Sequence, residues 1–301
     1  MSTLFIESEL VRVGVAPDFG ARVVSLLDKR NGREWMTQGD RSPAVGEDAV
    51  YGGREAVGWD ECFPTVGVWD GTGTAWGRRL RDHGDLWGRP WQVDSSGPLE
   101  LTTTYANESF TFRRTLTLEG AALTARYDVT NHLEAQLPYL WALHSLFAVR
   151  PGDQIDLGGV REVHASFMAE NGRMLGDGKV AWLDKDDRVS FPLNEVQPPS
   201  ALFAGKFLVA DRPASRARLG QPGQWLEIEW DERLASIGIW LTYGAWPQAG
   251  GHHEVAIEPT SSPANDLGEA ISAGAAPLAP GERREWQVTL TPVADSTAPV
   301  R

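Results

Sequence analysis

Two residues of the sequence have the chemistry of a proton-transfer pair. His144 interrupts the apolar stretch Tyr139–Val149, and a histidine titrates near neutral pH, which suits proton donation. Glu258 ends an alternating segment that begins at Glu254, and a carboxylate at a strand end can act as a base in a cleft. Either residue could instead be structural, as a hydrogen-bonded core histidine or an exposed glutamate. Together they favour acid–base chemistry that needs no cofactor.

A third segment, residues 81–91, combines polar and aromatic side chains. It contains His83, Arg89 and two tryptophans among glycines, which allow close approach to the backbone. Such crowding suits recognition of a polyol, while a surface loop with its own ion pairs is the alternative. Most of the 13 tryptophans should fill the core because of their large apolar area. We expect Trp87 and Trp240 to be the stacking platforms for a sugar ring.

The elements that must position these residues read as short strands. Asn31-Gly32 favours a tight hairpin turn, and the stretch 139–149 is apolar on both faces, as a central buried strand would be. Pro259 has no N–H, so we expect its strand to end there. The other predicted strands alternate and are bounded by turn residues: Ala21–Leu27, Arg33–Met36, Leu99–Tyr105, Phe110–Leu118, Leu123–Val129, Gly223–Trp230, Ala235–Tyr243 and Arg284–Thr291.

Composition and charge narrow the class of protein. The 301 residues include 41 acidic and 28 basic side chains, a formal net charge of -13, so nucleic acid and anionic membranes should be repelled. No run of about 18 apolar residues occurs, and the first residues lack the pattern of a secretory signal. We therefore expect no nucleic-acid or membrane partner. Cys62 is the only cysteine, which excludes an intrachain disulfide and makes a reducing cytoplasm the expected compartment.

Sequence motifs for other chemistries are absent. There is no glycine-rich phosphate loop before a helix, no His-Glu-x-x-His pattern and no Gly-x-Ser-x-Gly turn. His252 and His253 are neighbours, and neighbouring side chains of a strand point to opposite faces, which disfavours a metal pair. We expect neither a metal nor another cofactor. Because no linker or composition shift divides the chain, we expect one domain over residues 1–294 and a loose tail over 295–301.

Taken in order, these segments resemble the aldose 1-epimerase (galactose mutarotase) superfamily. The shared pattern has three parts: the His-Gly segment at His83-Gly84, the histidine at His144 followed by an aromatic residue, and the late strand that contains Glu258-Pro259. Together they span most of the chain. Three further segments support it: Gly52-Gly53-Arg54, Trp59–Pro64 and Leu278–Glu282. The resemblance implies an all-β, galactose mutarotase-like β-sandwich (supersandwich) of large antiparallel sheets. The substrate would lie across one sheet, with the catalytic groups on adjacent strands.

The resemblance also implies roles for individual residues. Glu258 matches the base that removes the anomeric hydroxyl proton, and His144 matches the acid that protonates the ring oxygen. His83 matches the histidine that binds an oxygen of the sugar or of its opened carbonyl. The hydroxyl-binding aspartate of the family has no clear counterpart beyond Asp211. The remaining expected substrate contacts are Arg54, Glu61, Trp87, Arg89 and Trp240.

We therefore expect an isomerase, an aldose 1-epimerase that interconverts the α and β anomers of an aldose by ring opening and reclosure. Two alternatives remain: an epimerase of a hexose 6-phosphate or another modified sugar, and a non-catalytic carbohydrate-binding protein of the same fold. Convergence of Arg54 and Arg89 on one spot would favour the phosphorylated substrate. The expected partner is a small sugar, bound by a monomer or a homodimer.

Overall fold

Strands make up nearly all of the regular structure. The structure is a computed structural model and describes residues 2–39, 49–209, 215–234 and 236–294. In chain order the strands are β1 Leu4–Glu7, β2 Val11–Ala16, β3 Arg22–Asp28, β4 Arg33–Glu34, β5 Trp59–Cys62, β6 Trp69–Asp70, β7 Arg79–Leu80, β8 Gln92–Ser96, β9 Glu100–Ala106, β10 Phe110–Glu119, β11 Ala122–Asn131, β12 Ala142–Ala148, β13 Gln154–Asp156, β14 Glu162–Glu170, β15 Arg173–Ala181, β16 Phe203–Val209, β17 Arg216–Gln221, β18 Gln224–Trp230, β19 Ser236–Tyr243, β20 His253–Thr260 and β21 Arg283–Ala294. Two short helices join them, a 3-10 helix Pro199–Ala201 and α1 Leu267–Ser272.

Two large antiparallel sheets form the fold. The first has 11 strands in the order β1-β2-β3-β5-β12-β20-β19-β16-β14-β15, with β4 paired to β3. The second has eight, in the order β13-β17-β18-β21-β11-β10-β9-β8, and β6 and β7 form a separate ribbon. This architecture confirms the predicted β-sandwich.

The core lies between the two sheets. Trp141, just before β12, meets Trp286 of β21 with ring centroids 5.0 Å apart, so the first sheet faces the second at this point. Along β10, buried Phe110 and Phe112 alternate with more exposed residues, as expected for a strand with one face in the core. Strand β12 is buried along almost its whole length. Both of its faces are therefore covered, one by the core and the other by the residues of a cleft.

The local strand predictions agree with the structure except at one proline. The predicted hairpin forms between β3 and β4, and β9, β10 and β11 form the predicted meander. Strand β20, however, continues through Pro259 to Thr260, which pairs with Ala142 of β12 and Ser236 of β19. The expectation that the strand ends at the proline is wrong. The ladder between β12 and β20 is interrupted at residues 143–145, so the missing N–H of Pro259 removes no bond there.

The predicted tail, residues 295–301, and Asp211 lie outside the described residues. In the described part of the chain, no helix has the length and apolar character that a membrane crossing requires.

Candidate active site

A cleft of about 380 Å³ opens on the face of the 11-stranded sheet that points away from the core. Its volume lies within the range of small-molecule pockets, roughly 300–1,000 Å³. It collects side chains from five strands and several loops. The polar and aromatic residues that line it are Tyr51, Asp82, His83, His144, Ser166, Phe167, Lys206, Trp240, Trp246, Glu254, Glu258 and Asn265. Four predicted site residues, His83, His144, Trp240 and Glu258, are therefore brought together.

Strand register explains why His144 and Glu258 meet. Ala142 pairs with Thr260, and Leu146 pairs with Ala256, so the same register places His144 opposite Glu258 on the neighbouring strand. The ladder is interrupted at these residues, but both side chains line the cleft and His144 lowers the pKa of Glu258, so the two groups lie near each other. An acid and a base on adjacent strands can thus address one small group lying across the sheet.

The ring of His144 is held by Asp60, its partner on β5. The two side chains are buried, and Nδ1 of His144 lies 2.7 Å from Oδ1 of Asp60. Burial acts to raise the pKa of Asp60, but Arg22 and His144 together hold it below its ordinary value. The ionised carboxylate can only accept, so Nδ1 donates the hydrogen bond. This contact fixes the orientation of the ring and leaves Nε2 for another partner.

Glu258 has one paired and one unpaired oxygen. The ammonium group of Lys206 on β16 donates to Oε2, whereas Oε1 is buried with no hydrogen-bond partner among the described residues. Burial acts to raise the pKa of Glu258, but Lys206 and His144 outweigh it and hold that pKa below its ordinary value. The side chain is therefore a carboxylate at neutral pH, and Oε1 is free to accept a proton.

His83 completes a cluster of rings at one end of the cleft. It has a φ of +59°, stacks on Tyr51 at a centroid distance of 3.8 Å, and lies 4.7 Å from the ring of His144. Nδ1 of His83 lies 3.3 Å from Oδ1 of Asp82. Burial lowers the pKa of His83, and nearby His144 lowers it further against the opposing effect of Asp82. A neutral ring can both donate to and accept from a sugar oxygen.

Two tryptophans and a phenylalanine add aromatic surface to the cleft. The rings of Trp240 and Trp246 meet edge to face at 5.9 Å, and Phe167 packs 5.7 Å from Trp240. Both tryptophans are half-buried, so part of each ring borders the cleft. Such surfaces suit the apolar face of a sugar ring.

Glu61 was predicted to contact substrate, but the structure places it away from the cleft. It follows Asp60 on β5, so it points to the opposite face, where it pairs with Leu143 of β12 in register. Its carboxylate is fully buried and accepts hydrogen bonds from four side chains of the core: Trp59, Arg114, Tyr127 and Trp141. Glu61 joins the two sheets and does not border the cleft.

Three further predicted contacts also lie outside the cleft lining. Trp87 is 1% exposed, and its Nε1 donates a hydrogen bond to the carbonyl oxygen of Asp82 at 2.9 Å. It therefore stabilises the loop that carries Asp82. Arg54 is exposed in a turn, and Arg89 is partly buried in a loop. Because neither arginine lines the cleft, the two guanidinium groups do not converge on a bound sugar there.

Several residues in or beside the cleft have no role assigned from the sequence. Strand alternation allows only one of Asp60 and Glu61 to share the face of His144, and the structure shows that it is Asp60. Lys206 lies on β16, whereas Tyr51 and Asp82 come from irregular segments, where periodicity gives no signal.

One group of side chains has the composition of a metal site. Cys62, His83 and His144 offer ligand atoms that all lie within 4.8 Å of one another. Burial raises the pKa of the Cys62 thiol well above its ordinary value, and the thiolate is the form that binds metals. A metal bound to this group would have to displace the proton of a buried thiol.

Comparison with known proteins bears on the fold. No protein-family model matches the chain, and no curated protein matches it. Several solved structures do match. A protein from Escherichia coli K12 that is provisionally assigned as an aldose 1-epimerase has a TM-score of 0.70 and 19% identity, covering 97% of this chain and 99% of its own.

Two other matches extend the comparison. A galactose mutarotase-like protein from Lactobacillus casei has a TM-score of 0.68 and 16% identity, covering 97% of this chain and 100% of its own. Galactose 1-epimerase from Lactobacillus acidophilus has a TM-score of 0.54 and 12% identity, covering 96% and 93%. At these identities the likeness concerns the fold. The chain has the fold of the galactose mutarotase-like proteins.

Proposed function

We propose that the protein is an aldose 1-epimerase, which interconverts the α and β anomers of an aldose at the cleft between β5 and β14. The observation that carries the proposal is the pair formed by His144 and Glu258. The two side chains lie opposite each other on adjacent strands, and Glu258 keeps one carboxylate oxygen without a partner. An acid and a base placed together speed the opening of a neutral sugar ring.

The reaction requires two proton transfers in each direction. Oε1 of Glu258 accepts the proton of the anomeric hydroxyl while Nε2 of protonated His144 donates a proton to the ring oxygen. The bond between the anomeric carbon and the ring oxygen breaks, giving an open-chain aldehyde. After rotation about the bond between the first two carbons, the reverse transfers close the ring as the other anomer. The residues return to their starting protonation states, so no co-reactant is consumed.

The surrounding residues support these roles. Asp60 accepts from Nδ1 of His144 and stabilises the positive charge that the ring carries as an acid. Lys206 keeps Glu258 ionised, as a base must be. His83, beside His144, is positioned to bind the oxygen that becomes the aldehyde.

The charges of the cleft favour a substrate without phosphate. Lys206 is the only lysine or arginine among the described residues that line the cleft, and its ammonium group is paired with Glu258. Glu254 and Asp82 add negative charge, which repels an anion. An epimerase of a hexose 6-phosphate is thus the weaker alternative.

Exchange spectroscopy by NMR on neutral and phosphorylated aldoses tests the proposal. Acceleration of anomer exchange for a neutral aldose is the expected result. Binding of a sugar without any acceleration would contradict the proposal and favour the non-catalytic carbohydrate-binding alternative.

A further inference from the structure

Glu254 is a buried carboxylate that the proposed reaction does not use. It lies on β20, four residues before Glu258, and lines the same cleft. Its side chain is 0% exposed, and neither of its oxygens has a hydrogen-bond partner among the described residues. A buried carboxyl group without hydrogen-bond partners is unfavourable, so a ligand group that donates to it would relieve that cost.

The nearest basic side chain offsets this charge only in part. Nδ1 of His252 lies 3.5 Å from Oε2 of Glu254, which is beyond an ordinary hydrogen bond. Nε2 of His252 lies 2.7 Å from the carbonyl oxygen of Gly53, which can only accept, so Nε2 carries a proton. Glu254 raises the pKa of His252 above its ordinary value against the effect of burial. The other carboxylates of the site differ, since Asp60 is paired with Arg22 and Glu258 with Lys206. Among the described residues, the one ion-pair contact of Glu254 is this long one to His252, so its carboxyl group keeps room for a further donor.

Aromatic rings line the same cleft as Glu254. The ring of Trp246 has its centroid 5.9 Å from that of Trp240 and 5.6 Å from that of His252, and both indoles line the cleft. Indole faces attract cations. A cleft that combines a carboxyl group with two indoles suits a protonated amine.

We infer that the cleft binds an aldose carrying a protonated amino group at the end of the sugar remote from the anomeric carbon, with Glu254 as its partner. The inference rests on the proposed function, because it places the anomeric hydroxyl at Glu258. It also goes beyond that function by naming the substrate class.

The spacing of the two glutamates sets where the amine must be. Four residues of a strand span about 13 Å. At bond lengths of about 1.5 Å, the anomeric oxygen and the substituent on carbon 6 of a hexopyranose are roughly 5 Å apart, and each end adds a hydrogen bond of about 2.8 Å. These lengths add up to about 11 Å, slightly less than the distance between the two backbone positions, so an amine on carbon 6 can approach Glu254 while the anomeric hydroxyl is at Glu258. An amine on carbon 2 would lie beside the anomeric carbon and would not reach Glu254.

Three sugars test the inference with the unmodified protein: glucose, 2-amino-2-deoxyglucose and 6-amino-6-deoxyglucose. Isothermal titration at pH 7 should give a Kd for the 6-amino sugar at least about tenfold below that for glucose, the difference expected of a charge-assisted hydrogen bond. The 2-amino sugar should show no such gain. Equal Kd values for glucose and the 6-amino sugar would overturn the inference.

A substitution locates the effect. In Glu254→Gln the Kd for glucose divided by the Kd for the 6-amino sugar should fall to about one. Glu229→Gln is the control, because it makes the same substitution at an exposed site on the other sheet. It should keep the wild-type ratio. A tenfold preference that survives in Glu254→Gln would also overturn the inference. Affinity is read separately from anomer exchange, so a protein that accelerates exchange of glucose without preferring the amine would fail this inference alone.

Discussion

Gly238 lies directly opposite Glu258 in the register of β19 and β20, and a β-carbon at position 238 would lie 2.6 Å from Oε2 of Glu258. The same carbon would lie 3.4 Å from Nζ of Lys206. Glycine at this position thus leaves the room in which the carboxylate and the ammonium group pair. The position of the proposed base depends on a residue that has no chemistry of its own.

Gly238→Ala should therefore lower the rate of anomer exchange by about 10²-fold, because a displacement near 1 Å at a reacting group has about this cost. Gly73→Ala is the matched control, since no atom lies within 4 Å of its added carbon. The rates are compared by NMR exchange spectroscopy. A Gly238→Ala protein as active as the control would show that the ion pair tolerates displacement.

Lys206 should set the acid limb of the pH profile. It holds the pKa of Glu258 below the ordinary 4.5, so the wild-type protein should keep its base ionised, and its activity, down to below that pH. In Lys206→Met the pKa of Glu258 should rise, because burial then acts with less opposition, and the acid limb of kcat/KM should move to higher pH. Lys179→Met, an exposed control, should leave the limb in place. An unmoved limb in Lys206→Met would argue against Glu258 as the base.

Asp60→Asn should separate the orientation of His144 from the binding of sugar. The amide no longer provides a negative charge beside Nδ1, so we expect kcat to fall by about 10²-fold or more with little change in KM. Stability should fall as well, because the buried guanidinium of Arg22 loses its ion-pair partner. Asp70→Asn, at an exposed position, should change neither. An unchanged kcat in Asp60→Asn would exclude Asp60 as a positioning residue.

Glu61 should matter for stability and not for catalysis. Its carboxylate accepts four hydrogen bonds in the core and forms a buried ion pair with Arg114 at 3.0 Å. Burial raises the pKa of Glu61 to about 7 against the opposing effect of Arg114, so the ion pair is complete above that pH. There Glu61→Gln leaves the charge of Arg114 unpaired, and the free energy of unfolding should fall by about 3–5 kcal/mol. Chemical denaturation measures this loss, and exchange assays below the melting temperature should give an unchanged rate per folded molecule. A stable Glu61→Gln protein with impaired exchange would restore Glu61 to the substrate site.

Local patterns predicted the strands, because alternation and turn residues act over a few positions. The hairpin at Asn31-Gly32 and the meander β9-β10-β11 are examples. Sheet order depends on contacts between distant segments. The neighbours β5, β12 and β20 are separated by some 80 residues or more along the chain, and their pairing is not encoded in any short window. The sandwich was anticipated through the family resemblance.

The site was predicted in part for the same reason. His144 and Glu258 were found because a polar residue in an apolar strand, or at its end, stands out from its neighbours. The sequence alone does not tell whether Asp60 or Glu61 shares the face of His144. The answer depends on which face of β5 packs against the second sheet. The burial of Trp87 and the position of Tyr51 depend on loops, which carry no periodic signal.

The most direct test of the central claim compares anomer exchange in the wild-type protein and in Glu258→Gln, on an aldose that the wild type accepts at pH 7. Glutamine is nearly isosteric with glutamate but cannot take up the anomeric proton. The account predicts that exchange falls by about 10³-fold or to the rate in buffer, with the melting temperature within a few degrees of wild type. A folded Glu258→Gln protein that exchanges anomers at the wild-type rate would contradict the assignment of Glu258 as the base.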